Sequence, residues 1–460
     1  MKLVFTMFLS IGIKGAAAIA EIVIQLLLTN YVGMTGYGEY IFFVSIIECL
    51  YWLFFSGSAK INTFYLSVPT LKIDGFKRSY ITRYVVPFIL VITTVLTVVK
   101  GSYGLLAAVI LFVYFLAYDR SSVFFSRDYQ LPALLGEYMI GRLVMLAGLF
   151  VCLKLGWING LILLALYGVQ FLTMLIWFVP FEKKLKSGTE EVTVPLKKIW
   201  DYQQSDIVLS IISYSPTILQ YIFGGAFSAG FTGIIALVKK FLNFISGPMT
   251  KVFLPEFSRL YLAGDKEQIR KSYLMIVRIQ MLFIGTIGAA LLGFPHLILK
   301  LFSAELQPYA GPFTVAAACL LLIAGMGPVI GLLQMTGQER LCNRNQLISI
   351  GTMVAVWMIL NKNPLFSVYA LCVQAVVEGI LEYYSVCKWF NGPVIPVHSY
   401  IIMWMPVALE CFLVEALNLR YSFIALLVSM TLVGIWNLLF TLRDPLVKDA
   451  VAEALQKLRR

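Results

Sequence analysis

The sequence predicts an all-α polytopic membrane protein of about 14 transmembrane helices, with two six-helix lobes in parallel pseudo-repeat and two further helices at the C-terminus. Three observations carry that prediction. Hydrophobic residues make up 60% of the 460-residue chain. Apolar runs of about 18–25 residues recur from end to end, each long enough as a helix to cross about 30 Å of hydrocarbon. The hairpin that opens the chain also has a counterpart near its middle. An outer-membrane barrel would show alternating segments of about ten residues instead. Backbone amides in lipid must find partners within their own segment, which leaves the helix as the workable element.

Hydropathy places the first six spans at 4–30, 38–57, 81–99, 104–125, 133–153 and 159–180. The next six fall at 205–223, 228–254, 273–293, 312–334, 343–360 and 366–388, and a last pair at 399–418 and 421–441. The domain organisation that follows is an N-lobe at 1–182, a cytoplasmic linker at 183–204, a C-lobe at 205–390, the extra pair at 391–442 and a cytoplasmic amphipathic tail at 443–460. The first run begins with a single lysine and lacks a small-residue cleavage site before a polar mature domain, so it reads as a retained helix. Around Pro328, Gly325, Gly327 and Gly331 have neither the strand nor the Lys-Ser/Thr of a phosphate loop, and they predict a loosened or kinked tenth span. In the tail, Asp444 and Pro445 suit the N-cap and first helical position. Val447, Val451, Ala454 and Leu458 recur there at helical spacing beside Lys448, Lys457, Arg459 and Arg460, which fits an interfacial anchor or a frayed polar end.

Loop charges orient the spans. Lys60, Lys72, Lys77, Arg78 and Arg83 follow span two, and Lys183, Lys184, Lys186, Lys197 and Lys198 follow span six. The loops on the opposite side carry at most one base each, Lys100, Lys154, Lys300, Lys362 and Arg420. The positive-inside rule then puts both termini in the cytoplasm, and a bacterial or archaeal cytoplasmic membrane is the expected location. The net charge of +12 is accounted for by anionic lipid headgroups without nucleic acid. No loop has room for a soluble catalytic domain, so a membrane-embedded polymerase or glycosyltransferase is disfavoured and the chain reads as a non-enzyme. The 7 cysteines lie inside or at the ends of apolar spans with no CxxC spacing, and His296 and His398 are isolated. Neither set makes a metal site, and no cofactor is expected beyond a coupling proton or sodium ion.

The ionisable residues within the spans point to function. A charge at the bilayer centre costs about 2.5–3.5 kcal/mol on insertion scales, so each such residue needs a compensating role. Lys14 lies about 15 Å deep in span one at 1.5 Å per residue, and Lys239 and Lys240 lie at similar depth in span eight. Adjacent helical residues diverge by about 100°, so one of that pair faces a central cavity. Cations at this depth in both halves suggest a shared anion site, which Arg142 and Arg278 would extend. Glu21 lies two turns from Lys14 on the same face, so an internal ion pair is the alternative for Lys14. Snorkelling to the interface is the alternative for Lys239 and Lys240. Buried carboxylates can carry protons or bind sodium, which makes Glu21 and Glu48 candidates for ion coupling. Glu378 and Glu382, four apart on span twelve, would line the cavity or bond across helices. Glu137 reads as interfacial and Glu410 as structural. Tyr51, Trp52 and Tyr221 have faces that stack on sugars and are also the residue types common at membrane interfaces.

The segment Tyr31-Val-Gly-Met-Thr-Gly-Tyr-Gly-Glu-Tyr-Ile-Phe-Phe resembles Ala226-Phe-Ser-Ala-Gly-Phe-Thr-Gly-Ile-Ile-Ala, with Gly36 over Gly230 and Tyr37 over Phe231. Both halves then start on the same side, as parallel repeats do. The run from Phe227 through Lys239-Lys240-Phe-Leu, followed by Pro255-Glu-Phe-Ser-Arg-Leu-Tyr and Gly264-Asp-Lys-Glu-Gln-Ile-Arg-Lys-Ser-Tyr, is similar to the polysaccharide-flippase branch of the multidrug/oligosaccharidyl-lipid/polysaccharide exporter superfamily. The likeness spans most of residues 1–390 and marks the superfamily better than the substrate. It implies two lobes that rock between inward-open and outward-open forms. The implied cargo is a lipid-linked, diphosphate-bearing sugar, with membrane lipids and polysaccharide polymerase machinery as partners. A cation-coupled drug or metabolite antiporter of the same superfamily is the rival reading.

Overall fold

The computed structural model describes residues 2–444 apart from 67, 69, 128, 186–187, 193 and 396, together with Lys448. The rest of the expected 443–460 tail lies outside the described residues. Helix α1 (Lys2–Phe54) carries the first two predicted spans, α2 (Ser56–Leu66) follows it, and α3 (Asp74–Lys100), α4 (Ser102–Ser126), α5 (Gln130–Leu155) and α6 (Gly160–Glu182) carry the next four. Helix α7 (Leu196–Leu262) carries spans seven and eight, and α8 (Lys266–Gly293) carries span nine. The tenth span is preceded by α9 (Pro295–Phe302) and divides into α10 (Ala310–Ala324) and α11 (Val329–Met335). The remaining spans are α12 (Glu339–Leu360), α13 (Phe366–Phe390), α14 (Val397–Ala416) and α15 (Phe423–Arg443).

Among the described residues eleven helices are long and apolar enough to cross a membrane. The protein is a multi-pass, all-α membrane protein. The number falls short of fourteen because α1 and α7 each hold two predicted spans, and because α12, which opens with Glu339, Arg340 and Arg344, is not among the eleven. Helix α1 has 53 residues, about 80 Å if straight, far more than one crossing. It breaks at Gly33 (φ 75°, ψ 169°), and α7 breaks the same way at Gly225 (φ 82°, ψ 173°). A side chain is strained at such positive φ. The matched kinks register the two hairpins at Gly33 and Gly225, two residues away from the pairing of Gly36 with Gly230. The tenth span is interrupted as expected: α10 ends at Ala324, Gly327 has φ 85°, and α11 resumes at Val329.

The chain forms two compact units, Met1–Gly233 and Ile234–Arg460. The division therefore falls inside α7 and past the 183–204 linker, and the seventh span belongs with the first six. Its ties to them are specific. Lys60 pairs with Asp206 at 2.7 Å, Tyr221 stacks on Phe42 with centroids 3.9 Å apart, and a Cβ placed on Gly38 would lie 1.7 Å from the Ala226 carbonyl oxygen. The linker is clipped as well. Its Glu190–Glu191 strand (β2) pairs in parallel with Leu71–Lys72 (β1), and the Glu191 carboxylate accepts from the Gly75 amide at 2.6 Å.

Within the first unit α4 is the central helix, burying Ala107, Leu111, Tyr114, Phe115 and Phe124. Helix α3 is its opposite, with only 6% of the residues in its most apolar window buried, which leaves much of its apolar side available to lipid. In the second unit α8 is central, burying Ile269, Tyr273, Ile276, Val277, Met281 and Ile284. Small residues seat α14 and α15 on it: Gly285 faces Asn437, Gly288 faces Trp404 and Gly293 faces Glu410. Such residues let helices approach closely where lipid supplies no hydrophobic drive for association.

Candidate functional site: ionisable groups within the spans

In the first unit the charged groups converge on α5. Its first turns include a π-helical stretch, Leu135–Ile140, whose wider winding shifts the hydrogen-bond ladder. Arg142 lies just past that stretch. Its guanidinium Nη1 donates to the Tyr138 carbonyl at 2.9 Å, and its Nε donates to Glu21 at 3.1 Å, with Arg142 and Glu21 side chains 28% and 26% exposed. Gln25 also donates to Glu21, at 3.1 Å. Glu21 and Arg142, which the sequence placed in separate roles, thus form one ion pair between α1 and α5. Lys14, two turns earlier on α1, is half-buried, with its ammonium 4.8 Å from the centre of the Tyr138 ring, a distance at which the ring quadrupole attracts a cation. Glu137 accepts from Ser121 at 3.0 Å.

Glu48 lies in an aromatic chamber of the same unit. It accepts from the Tyr167 hydroxyl at 3.0 Å and interacts with Tyr214. Tyr167 meets Tyr40 and Phe171 edge-on, and Tyr51 packs against Tyr114 and Tyr118. Tyr51 is 1% exposed, so it is core packing and unavailable to stack on a sugar. Tyr221 has one face on Phe42 and the Lys100 ammonium over its ring.

A further cluster was missed by the sequence reading. Asp119 in α4 accepts from Ser58 at 2.7 Å, from Asn62 at 2.7 Å and from Lys77 at 2.9 Å, so one carboxylate joins α2, α3 and α4. The available signal was an aspartate within a predicted span, where its cost demands partners. With Lys77 and Asp119 side chains 19% and 14% exposed, Asp119→Ala removes three hydrogen bonds and strands the ammonium. The expected loss is about 3 kcal/mol, read as a lower unfolding midpoint in detergent. Lys77→Met combined with Asp119→Leu should cost less than Asp119→Ala.

In the second unit Glu378 lies close enough to Lys239 to interact electrostatically, and it accepts from Gln374 at 2.5 Å. Gln374 is itself within 3.4 Å of Ser349 on α12. Glu382, one turn along α13, is 4% exposed, and its Oε1 has no hydrogen-bond partner among the described residues. Lys239 is half-buried whereas Lys240 is exposed, which agrees with the divergence expected of adjacent helical residues. Arg278 is held elsewhere. It pairs with Asp444 at 3.1 Å, donates to Ser399 at 2.8 Å and lies over Phe440, clamping α8 to α14 and α15. Glu410, buried against Gly293, belongs to that same packing.

No protein-family model and no curated relative matches the chain. Solved structures do. A lipid II flippase, MurJ, in an inward closed conformation superposes with a TM-score of 0.65 at 13% identity, covering 95% of this chain and 98% of the flippase. The chain has this transporter fold. A MATE multidrug transporter, DinF-BH, gives 0.57 at 14% identity over 84% of this chain and 95% of its own, and the eukaryotic MATE transporter AtDTX14 gives 0.50 at 14% over 84% and 94%. The same fold therefore hosts a lipid flippase and drug transporters, so the fold by itself does not assign an activity to this chain.

Proposed function

We propose that this protein is a flippase that moves a lipid-linked, polyprenyl-diphosphate oligosaccharide across the cytoplasmic membrane by alternating access, for cell-surface polysaccharide synthesis. The observation that carries this reading is the set of cations inside apolar spans, Lys14 and Arg142 in one unit and Lys239 in the other. Ammonium and guanidinium groups withdrawn from water bind phosphate through charge-assisted hydrogen bonds. The flippase likeness adds support, since it extends over 95% of the chain against 84% for the drug transporters, a margin about the size of α14 and α15 together. Arg278 is left to its clamp. Both termini lie on the cytoplasmic side in this proposal, and polymerase machinery receives the delivered glycan.

Lys14→Ala, and Lys239→Ala together with Lys240→Ala, should lower surface glycan roughly 10–100-fold, the loss of one charged hydrogen-bonded contact to diphosphate, at unchanged protein levels in the membrane. Wild-type surface glycan in those variants would remove the anion site from the proposal.

A second reading, a cation-coupled drug or metabolite antiporter, is favoured by Glu48 in its aromatic chamber and by Glu21 earlier on α1, both close enough to Tyr40 to act on it electrostatically. Glu48→Gln separates the two. It abolishes ion-driven drug efflux if the protein is an antiporter, and it leaves lipid-linked glycan binding intact if the cations hold the cargo.

A further inference from the structure

A groove of about 420 Å³ opens on the first unit beside α3, within the roughly 300–1,000 Å³ range of small-molecule sites. Its lining is Phe54, Phe55, Tyr80, Tyr84, Phe88, Ile199, Trp200 and Gln203. Phe55, Ile199 and Tyr80 are buried and form its floor, whereas Trp200 is 56% and Tyr84 46% exposed at its mouth. Besides the Tyr80 hydroxyl, which donates to the Phe54 carbonyl, the floor holds an amide. Gln203 is 1% exposed, and its Nε2 has no hydrogen-bond partner among the described residues. Gly57 brings it there, since a Cβ at that position would stand 2.9 Å from the Gln203 Oε1 and 2.7 Å from Ile199. A buried amide donor without an acceptor costs about 1–3 kcal/mol, so an acceptor brought in by a bound molecule would be stabilising.

The surroundings specify what completes it. The groove opens on α3, the helix with the smallest buried share among the apolar spans of the described residues. Its aromatic walls suit a hydrocarbon chain, and Arg83 is exposed on α3 next to Tyr84 at the groove mouth. Guanidinium groups at a membrane surface attract anionic headgroups. We propose that this groove is a binding site for one anionic phospholipid from the leaflet beside the basic loops. An acyl chain fills the aromatic trough, the Gln203 amide donates to the ester carbonyl at the head of that chain, and Arg83, next to Tyr84 at the mouth, meets the phosphate. The site is separate from the cations assigned to the cargo and depends only on the protein being embedded in a bilayer.

Native mass spectrometry of the full chain in nonionic detergent, titrated with phosphatidylglycerol or with phosphatidylcholine of the same chains, tests the proposal. The wild type should retain one phosphatidylglycerol at concentrations where phosphatidylcholine does not bind. Gln203→Leu, which keeps the volume and removes the donor, should weaken that adduct about tenfold, as should Arg83→Ala, an exposed change that leaves the fold alone. With brominated chains, the phosphatidylglycerol-specific part of the tryptophan quenching should vanish in Trp200→Phe. Equal retention of the two lipids by the wild type, an adduct unaltered in both Gln203→Leu and Arg83→Ala, or specific quenching that survives Trp200→Phe would each overturn it.

Discussion

Arg142→Ala should destabilise the protein by about 3 kcal/mol, near the low end for breaking a buried ion pair, because the Arg142 and Glu21 side chains keep 28% and 26% exposure. The cost has two parts. Glu21 loses its cation while remaining between α1 and α5, and the Tyr138 carbonyl in the π-helical stretch loses its donor. Glu21→Ala should cost a comparable amount by stranding the guanidinium. Replacing both with glutamine removes both charges and keeps hydrogen-bonding groups in place, so the double variant should be more stable than either alanine variant. Unfolding midpoints in detergent give the comparison. Two alanine effects that simply add when combined would mean that the pair is not coupled and that each residue acts through other neighbours. The pair also bears on transport, because a guanidinium bound to Glu21 is neutralised until something competes for it. If the protein is the flippase proposed above, a diphosphate competing for Arg142 would leave Glu21 without its cation and able to accept a proton.

Gly38→Ala should be as damaging for a steric reason. The added Cβ would lie 1.7 Å from the Ala226 carbonyl oxygen and 2.6 Å from its carbon. The obstacle is backbone, so no rotamer change relieves it and the α1 and α7 kinks must separate. Overpacking of this sort costs typically about 1–3 kcal/mol, and the upper end applies where main chain meets main chain. Gly12→Ala is the matched control, since nothing lies within 4 Å of its added Cβ, and alanine there should gain up to about 1 kcal/mol of helix propensity. Equal thermal midpoints for the Gly38 and Gly12 variants would show that the two kinks do not pack as described.

The spans were legible because twenty apolar residues in sequence have few other structural outcomes. The break at Pro328 was legible because proline and clustered glycines disrupt a helix locally. The kinks at Gly33 and Gly225 were not, because a glycine chosen for positive φ looks the same in sequence as one chosen for close packing. The sequence paired Glu21 with Lys14 as the alternative reading, since intrahelical spacing was the one geometry it supplied. The Arg142 partner, 121 residues away, appears only once α1 and α5 are placed side by side. Arg278 with Asp444 is the same case, a cation whose depth was readable and whose partner was not. Asp119 could have been found by the rule that exposed Glu21 and Glu48. It lies next to Arg120 near the end of its span, and there the run reads as interfacial.

The most direct measurement is transport by the purified protein in proteoliposomes, comparing a fluorescent polyprenyl-diphosphate oligosaccharide with a cationic dye under an imposed ion gradient. The account predicts that the lipid-linked glycan crosses to the opposite leaflet, and that Lys14→Ala and the Lys239→Ala/Lys240→Ala pair slow it at least about tenfold. Gradient-driven dye movement without glycan flipping, insensitive to those lysines, would contradict it.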